Sequence, residues 1–234
     1  MTLLLSCETE HGDQRNIRKF YFPVETLDDG LVYEYESVSN DTFPPVYWYY
    51  RNIKQKDDLY LIGTAYGVDL LPSQLVTEAV VSNGMLLEDM YLFVNDTLGG
   101  QKQVPVEIQS GSAFPFLVKD STGVFLYKVK WSMPDSPEIS TTLIKNRRFL
   151  GDTTYTYAGK EYPAVIFTVK ELIEQRAEGS LELEYDGVEI YAKNIGLVYY
   201  KKEIQAGFIQ EYALAKTYPM TTLEAKFKQL LDDE

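Results

Sequence analysis

Through most of its length this chain alternates apolar and polar side chains at every second residue, and it interrupts the alternation with short clusters of Gly, Asn, Asp and Ser. The stretch from Gly30 to Ser37 sets Leu31, Tyr33 and Tyr35 against Val32, Glu34 and Glu36, the pattern of a strand with one buried face. Further strands are expected over 19–22, 46–53, 59–66, 75–81, 85–94, 104–109, 123–131, 138–144, 153–157, 164–172, 180–185, 188–192, 196–203 and 208–215. Asp28-Asp29-Gly30, Ser82-Asn83-Gly84, Asp120-Ser121-Thr122-Gly123, Ala158-Gly159-Lys160 and Tyr185-Asp186-Gly187 supply residues that tolerate positive φ and so read as hairpin turns. Neighbours in sequence should then be antiparallel neighbours in space. The expected fold is mostly β: a single curved antiparallel meander sheet or an incomplete barrel, with a short C-terminal helix.

That helix is read over 222–232. Thr222 can cap it, and Leu223, Phe227, Leu230 and Leu231 recur at helical spacing on one face, so it should pack on the sheet or cover a barrel mouth. Residues 15–234 are taken as one β domain with this helix at its end, and residues 1–14 as what remains of a targeting and tether segment.

Aromatic side chains are abundant, with 19 tyrosines in 234 residues. The run Val46-Tyr47-Trp48-Tyr49-Tyr50 places rings on both faces of one strand, while Phe125, Tyr127, Val129 and Trp131 share a single face opposite Lys128 and Lys130. Aromatics favour strands and cross-strand pairs, so sheet packing accounts for them. A concave sheet holding an apolar or glycan ligand accounts for them equally, with Tyr47, Tyr49, Phe125, Tyr127 and Trp131 as ligand-facing residues.

The one cysteine, Cys7, follows Leu4-Leu5-Ser6 directly. Leu4, Ser6 and Cys7 resemble the lipobox of bacterial lipoproteins, which implies lipid attachment at Cys7 and anchoring to the cell envelope. Only six residues precede the cysteine, whereas a secretion signal needs a basic region and an apolar region of ~7–15 residues, so the start codon was placed too late or the leader was trimmed. A buried free thiol is the alternative. Glu8 to Arg15 is polar and reads as a flexible spacer, and Glu8 and Glu10 resemble the acidic sorting signal that follows the cysteine in some Gram-negative surface lipoproteins. No stretch has the ~18 apolar residues that a spanning helix requires, so contact with the outer membrane is expected through the lipid.

Charge and composition exclude several chemistries. A net charge of −13, with positive residues largely scattered and Arg147-Arg148 and Lys201-Lys202 among the few adjacent pairs, argues against nucleic acid, which needs clustered Lys and Arg. Both basic pairs read as solvated strand faces. The single histidine, His11, lies in the spacer, which removes the common nucleophile–base triads and zinc sites built from His and Cys. No cofactor or metal is expected. Phosphate-cradle and nucleophile-elbow motifs do not occur; Gly99-Gly100 and Gly111 read as loop glycines, and Asn40-Asp41-Thr42 and Asn95-Asp96-Thr97 as turns. The 35 carboxylates leave open a glycosidase pair, which would have to face across one cleft.

The segment Thr153-Thr154-Tyr155-Thr156-Tyr157-Ala158-Gly159-Lys160-Glu161-Tyr162-Pro163-Ala164-Val165-Ile166-Phe167, followed by Tyr191-Ala192-Lys193-Asn194-Ile195-Gly196-Leu197-Val198-Tyr199-Tyr200, resembles a paired motif of bacterial envelope proteins of the lipoprotein-carrier class. The resemblance covers about residues 150–205 and implies an incomplete antiparallel barrel around a helix or a ligand cavity. Its motifs are structural, so function must be argued from a site. Gly196 between short strands implies a bulge or a close backbone approach. The expected function is a non-enzymatic envelope lipoprotein that binds an apolar ligand or a protein partner in its curved sheet. A structural subunit of an outer-membrane assembly without a pocket, and a carbohydrate-active enzyme with a carboxylate pair, are the alternatives.

Overall fold

The computed structural model of the chain describes residues 14–38, 43–95, 100–119, 123–205 and 207–232. Its strands are β1 (Arg15–Asn16), β2 (Leu31–Ser37), β3 (Val46–Gln55), β4 (Asp58–Tyr66), β5 (Pro72–Val81), β6 (Gly84–Asn95), β7 (Gln101–Pro105), β8 (Glu107–Pro115), β9 (Leu117–Val118), β10 (Phe125–Met133), β11 (Ser136–Tyr157), β12 (Lys160–Arg176), β13 (Ser180–Ala192), β14 (Gly196–Gln205) and β15 (Phe208–Tyr218), followed by helix α1 (Met220–Asp232).

The sheet closes. Its order runs β5-β4-β3-β2-β15-β14-β13-β12-β11-β10-β8-β6, and β6 returns to β5, so 12 strands form a ring. Every pairing is antiparallel. β7 and β8 lie along the same edge of β6, with Tyr91 opposite Pro105 and Gly84 opposite Pro115, and act as one strand interrupted at Val106. The meander expected from turn chemistry is therefore present, and the incomplete barrel is corrected to a complete one. The pairing that seals it joins the first and last strands of the ring, with Val32 opposite Tyr218 and Ser37 opposite Tyr212. Closure pairs both edges that an open sheet would leave free to template aggregation.

A 12-stranded barrel is wider than the ~8 strands at which side chains alone fill the interior. Here the chain supplies its own filling. Residues 19–22, expected as a strand, instead belong to an irregular segment that carries the 3₁₀ turns Arg18–Phe20 and Val24–Thr26, because this segment crosses the inside of the ring and finds no strand edge to pair with. Ile17, Phe20, Tyr21, Phe22, Val24 and Leu27 are all buried. Four backbone-directed bonds hold the plug: Ile17 N to Phe116 O at 2.8 Å, Asn194 N to Lys19 O at 2.7 Å, Asn52 N to Leu27 O at 2.9 Å and Asn52 Nδ2 to Val24 O at 2.7 Å. At about 1.5–3 kcal/mol for each large apolar side chain removed from water, the plug contributes substantially to the fold. Gly196 accommodates it: with φ at 106°, any Cβ there would lie 2.5 Å from the Phe22 ring. The close approach expected at Gly196 is thus explained by the plug.

Three further expectations change. Tyr185-Asp186-Gly187 is not a turn but the middle of β13, where Gly187 pairs with Val169 and Lys202. The segments 138–144 and 153–157 belong to one strand of 22 residues, β11, bent at the bulge between Phe149 and Gly151. Gly111 lies within β8, where a Cβ would meet Leu87 O at 2.6 Å. Ala158 and Gly159 do form a turn, at φ of 50° and 75°.

Helix α1 lies against the outer wall of the barrel. Leu223 and Phe227 pack there on Val32 and Tyr47, and Glu34, buried beneath the helix, accepts bonds from Lys226 Nζ at 2.8 Å and the Tyr218 hydroxyl at 2.5 Å. The side chains of Leu230 and Leu231, Cys7 with the spacer as far as residue 13, His11, Gly99, Asp120-Ser121-Thr122, and both Asn-Asp-Thr turns apart from Asn95 lie outside the described residues, while Arg15, expected in the spacer, pairs with Val118 in β1.

Candidate functional site

The plug fills one end of the barrel and leaves a cavity of about 290 Å³ above it. Tyr21 and Phe22 form the floor. The walls come from the inward positions of successive strands: Tyr35 on β2, Trp48 and Tyr50 on β3, Gln74, Val76 and Glu78 on β5, Met90 on β6, Tyr127 on β10, Lys145 and Arg147 on β11, Glu189 and Tyr191 on β13, and Tyr200 on β14.

Small residues on β4 make the aromatic wall possible. Trp48 and Tyr50 sit opposite Ala65 and Gly63, whose bareness lets both rings lean across β4 toward Gln74, Val76 and Glu78 on the following strand. A Cβ at Gly63 would lie 2.6 Å from the Tyr50 ring. The two rings stack with centroids 5.6 Å apart and planes 7° apart, and Phe22 of the floor packs on Tyr50 at 4.2 Å.

Opposite lies a ladder of alternating charge. Arg147 Nε donates to Glu189 Oε2 at 2.7 Å, and its other nitrogens reach Ala113 O at 3.0 Å and Glu189 Oε1 at 3.4 Å. The Tyr191 hydroxyl donates to Glu189 Oε2 at 2.8 Å. Lys145 Nζ stands 3.4 Å from Glu189 and 3.5 Å from Glu171, and Lys202 pairs with Glu171 while lying over the Tyr185 ring at 4.2 Å. Burial pushes the Glu189 carboxyl up, but Arg147 and Lys145 outweigh it and hold Glu189 at about 2. Burial likewise pushes the Glu171 carboxyl up, but Lys145 and Lys202 outweigh it and keep Glu171 below its ordinary range. The basic pairs expected on solvated faces therefore each turn one member, Arg147 and Lys202, into the barrel. A second chamber of about 240 Å³ borders the ladder and shares Lys145, Glu189 and Tyr200 with the first.

Glu78 stands apart from the ladder. The Tyr21 hydroxyl donates to it at 2.5 Å, and among the described residues no lysine or arginine is ion-paired with it. Burial pushes its carboxyl above the usual carboxylate range; the Tyr21 bond and the more distant Arg147 charge offset this only in part.

The aromatic residues picked from the sequence divide. Tyr127 lines the cavity, its hydroxyl 3.1 Å from Met90 Sδ. Phe125 and Trp131 share its inward face but pack into the apolar clusters to either side. Tyr47 and Tyr49 lie on the outer face of β3, Tyr47 with its ring 5.7 Å from Phe227 and Tyr49 with its hydroxyl on Asp29 O at 3.2 Å. Their neighbours Trp48 and Tyr50 take the inward positions. Sequence reasoning missed the charged members. The available sign was a lone charge at an inward position of an apolar strand, as with Glu78 among Val76, Ala79 and Val80 and Glu189 between Val188 and Ile190.

No family model matches the chain, and no curated protein matches it. Two solved structures share the architecture. One is a candidate lipoprotein from Parabacteroides distasonis ATCC 8503, with a TM-score of 0.53 at 12% identity over 88% of this chain and 100% of that one. The other is a candidate exported protein from Bacteroides fragilis NCTC 9343 described as having a YmcC-like fold, with a TM-score of 0.53 at 9% identity over 86% of this chain and 99% of that one. At such identities the likeness establishes the shared fold and no shared activity.

Proposed function

We propose that the protein is a non-catalytic binding protein of the bacterial cell envelope, held at the outer membrane by lipid on Cys7, and that the open half of its barrel takes one small ligand with an apolar body. The observation that carries this reading is the half-filled interior. The chain plugs one end of its own barrel with six buried apolar residues yet leaves a cavity of about 290 Å³ walled by Trp48, Tyr50, Tyr127 and Tyr200 at the other. A barrel with a purely structural role gains nothing from an unfilled interior, because voids forfeit packing energy. A largely apolar cavity with a few convergent polar groups is the usual form of a small-molecule site. The likeness to a candidate lipoprotein and a candidate exported protein supports the envelope location.

Glu78 and Glu189 both reach the cavity, which is the arrangement a carboxylate-pair enzyme would need. Glu189, however, has both oxygens engaged by Arg147, Tyr191 and Lys145 and is not free to attack or to activate water. The test is native mass spectrometry of the full-length protein extracted from its own envelope. A stoichiometric small-molecule adduct lost on denaturation, together with a diacylglyceryl-modified Cys7, is the expected result. An unmodified Cys7 overturns the anchor, absence of any adduct overturns the ligand reading, and turnover of aryl glycosides that is lost in Glu78→Gln overturns the non-catalytic reading.

A further inference from the structure

Among the described residues, Glu78 lines the barrel cavity with no lysine or arginine within ion-pair distance. The other carboxylates lining the two chambers, Glu171, Asp186 and Glu189, each have lysine or arginine nitrogens within ion-pair distance. Buried charges are paired or neutralised, and Glu78 has only the Tyr21 hydroxyl. The nearby cations are not available to it. Arg147 is bound to both oxygens of Glu189 and to the Ala113 carbonyl, and Lys145 bridges Glu189 and Glu171. Beside the already paired Lys145, Arg147 and Glu189, much of the cavity that Glu78 shares is walled by rings: Tyr21 and Phe22 below, Trp48 and Tyr50 to one side, Tyr127 and Tyr191 to the other. Aromatic faces attract a cation through their quadrupole, and more strongly where water is excluded. The barrel already contains one such contact, Lys202 over Tyr185.

Building on the reading of the cavity as a ligand site, we infer that the ligand is a small organic cation, a primary or quaternary ammonium on an apolar body, whose charged nitrogen sits against Glu78 beneath the Trp48–Tyr50 stack. The cation missing from Glu78 would then come from the ligand, with the apolar body lying along the tyrosine wall. The ladder would be left intact on the opposite side.

The test is calorimetric titration of the full chain with three probes of nearly equal shape: 2-phenylethylammonium, 3-phenylpropionate and 2-phenylethanol. The cation should bind at least roughly tenfold tighter than the acid and the alcohol, a preference of the size that desolvated cation–π and ion-pair contacts supply. Glu78→Gln should remove that preference while leaving the alcohol's weak binding within about threefold. Should Glu78→Gln not fold, Trp48→Leu serves in its place and should weaken the cation more than the alcohol. Equal or tighter binding of the acid or alcohol overturns the inference while leaving the cavity a ligand site, and so does a cation preference that survives both substitutions. Failure of all three probes also overturns it; combined with the absence of any adduct in the native mass spectrum, it removes the ligand reading as well.

Discussion

Replacing Glu189 by Gln keeps the shape of the side chain and removes the charge at the centre of the ladder, leaving the Arg147 guanidinium buried without its counter-ion. The gap between an ordinary carboxyl near 4.5 and the value of about 2 in the folded protein corresponds to about 3 kcal/mol at 1.36 kcal/mol per pH unit. Breaking one partner of a buried pair typically costs about 3–5 kcal/mol, so the two routes agree. The sign follows from linkage. The folded-state value is depressed, so the stabilisation is complete above the unfolded value and is lost as pH falls through the folded one. Urea unfolding should therefore find Glu189→Gln less stable by about 3 kcal/mol at pH 7, about 2 kcal/mol at pH 3.5 and under about 1 kcal/mol at pH 2. The double variant Arg147→Met/Glu189→Leu should recover most of the loss, because it removes the desolvation penalty together with the pair. A difference below about 1 kcal/mol at pH 7, or one that does not shrink with acid, refutes the placement of Glu189 and Arg147 inside a closed barrel.

Three other outcomes follow from the packing. Phe22→Ala should destabilise by about 3–5 kcal/mol and raise binding of a hydrophobic dye, read by urea melts and fluorescence, because the floor of the cavity opens onto the core beneath it. Gly196→Val should prevent stable folding or lower the melting temperature sharply, since it meets both a positive φ and the Phe22 ring; the matching change at Gly159, whose surroundings are open, should cost far less by thermal denaturation. Glu34→Gln should loosen α1 at neutral pH and not in acid, followed by amide exchange of residues 220–229, because the Lys226 and Tyr218 bonds outweigh burial and hold Glu34 below its ordinary range.

Much of the architecture was readable from alternation and turn residues. Alternation assigned Tyr127, Val129 and Trp131 to one inward face, and Ala158-Gly159 to a hairpin, because both depend on neighbours within a few residues. Closure did not show, since the pairing of β2 with β15 joins segments about 180 residues apart and leaves no local mark on either. The plug is hidden for a related reason: Lys19-Phe20-Tyr21-Phe22 has the composition of a strand, and only the width of a 12-stranded ring, which depends on closure, turns it inward as an irregular segment. Period two fixed that Tyr47 and Tyr49 oppose Trp48 and Tyr50 across β3, but not which pair faces in. That choice is made by Gly63 and Ala65 across the strand and by α1 covering the other side. Arg147 and Lys202 read as surface residues because their partners Glu189 and Glu171 lie on other strands.

The central claim is that the barrel interior above Tyr21 and Phe22 is a place kept for a ligand. A crystal structure of the protein purified from its native envelope tests this most directly. The expected result is a molecule between the Trp48–Tyr50 stack and Tyr127, with a cationic nitrogen against the Glu78 carboxyl. A barrel whose side chains collapse to fill that space, or one in which residues 17–27 lie outside the ring, would contradict it.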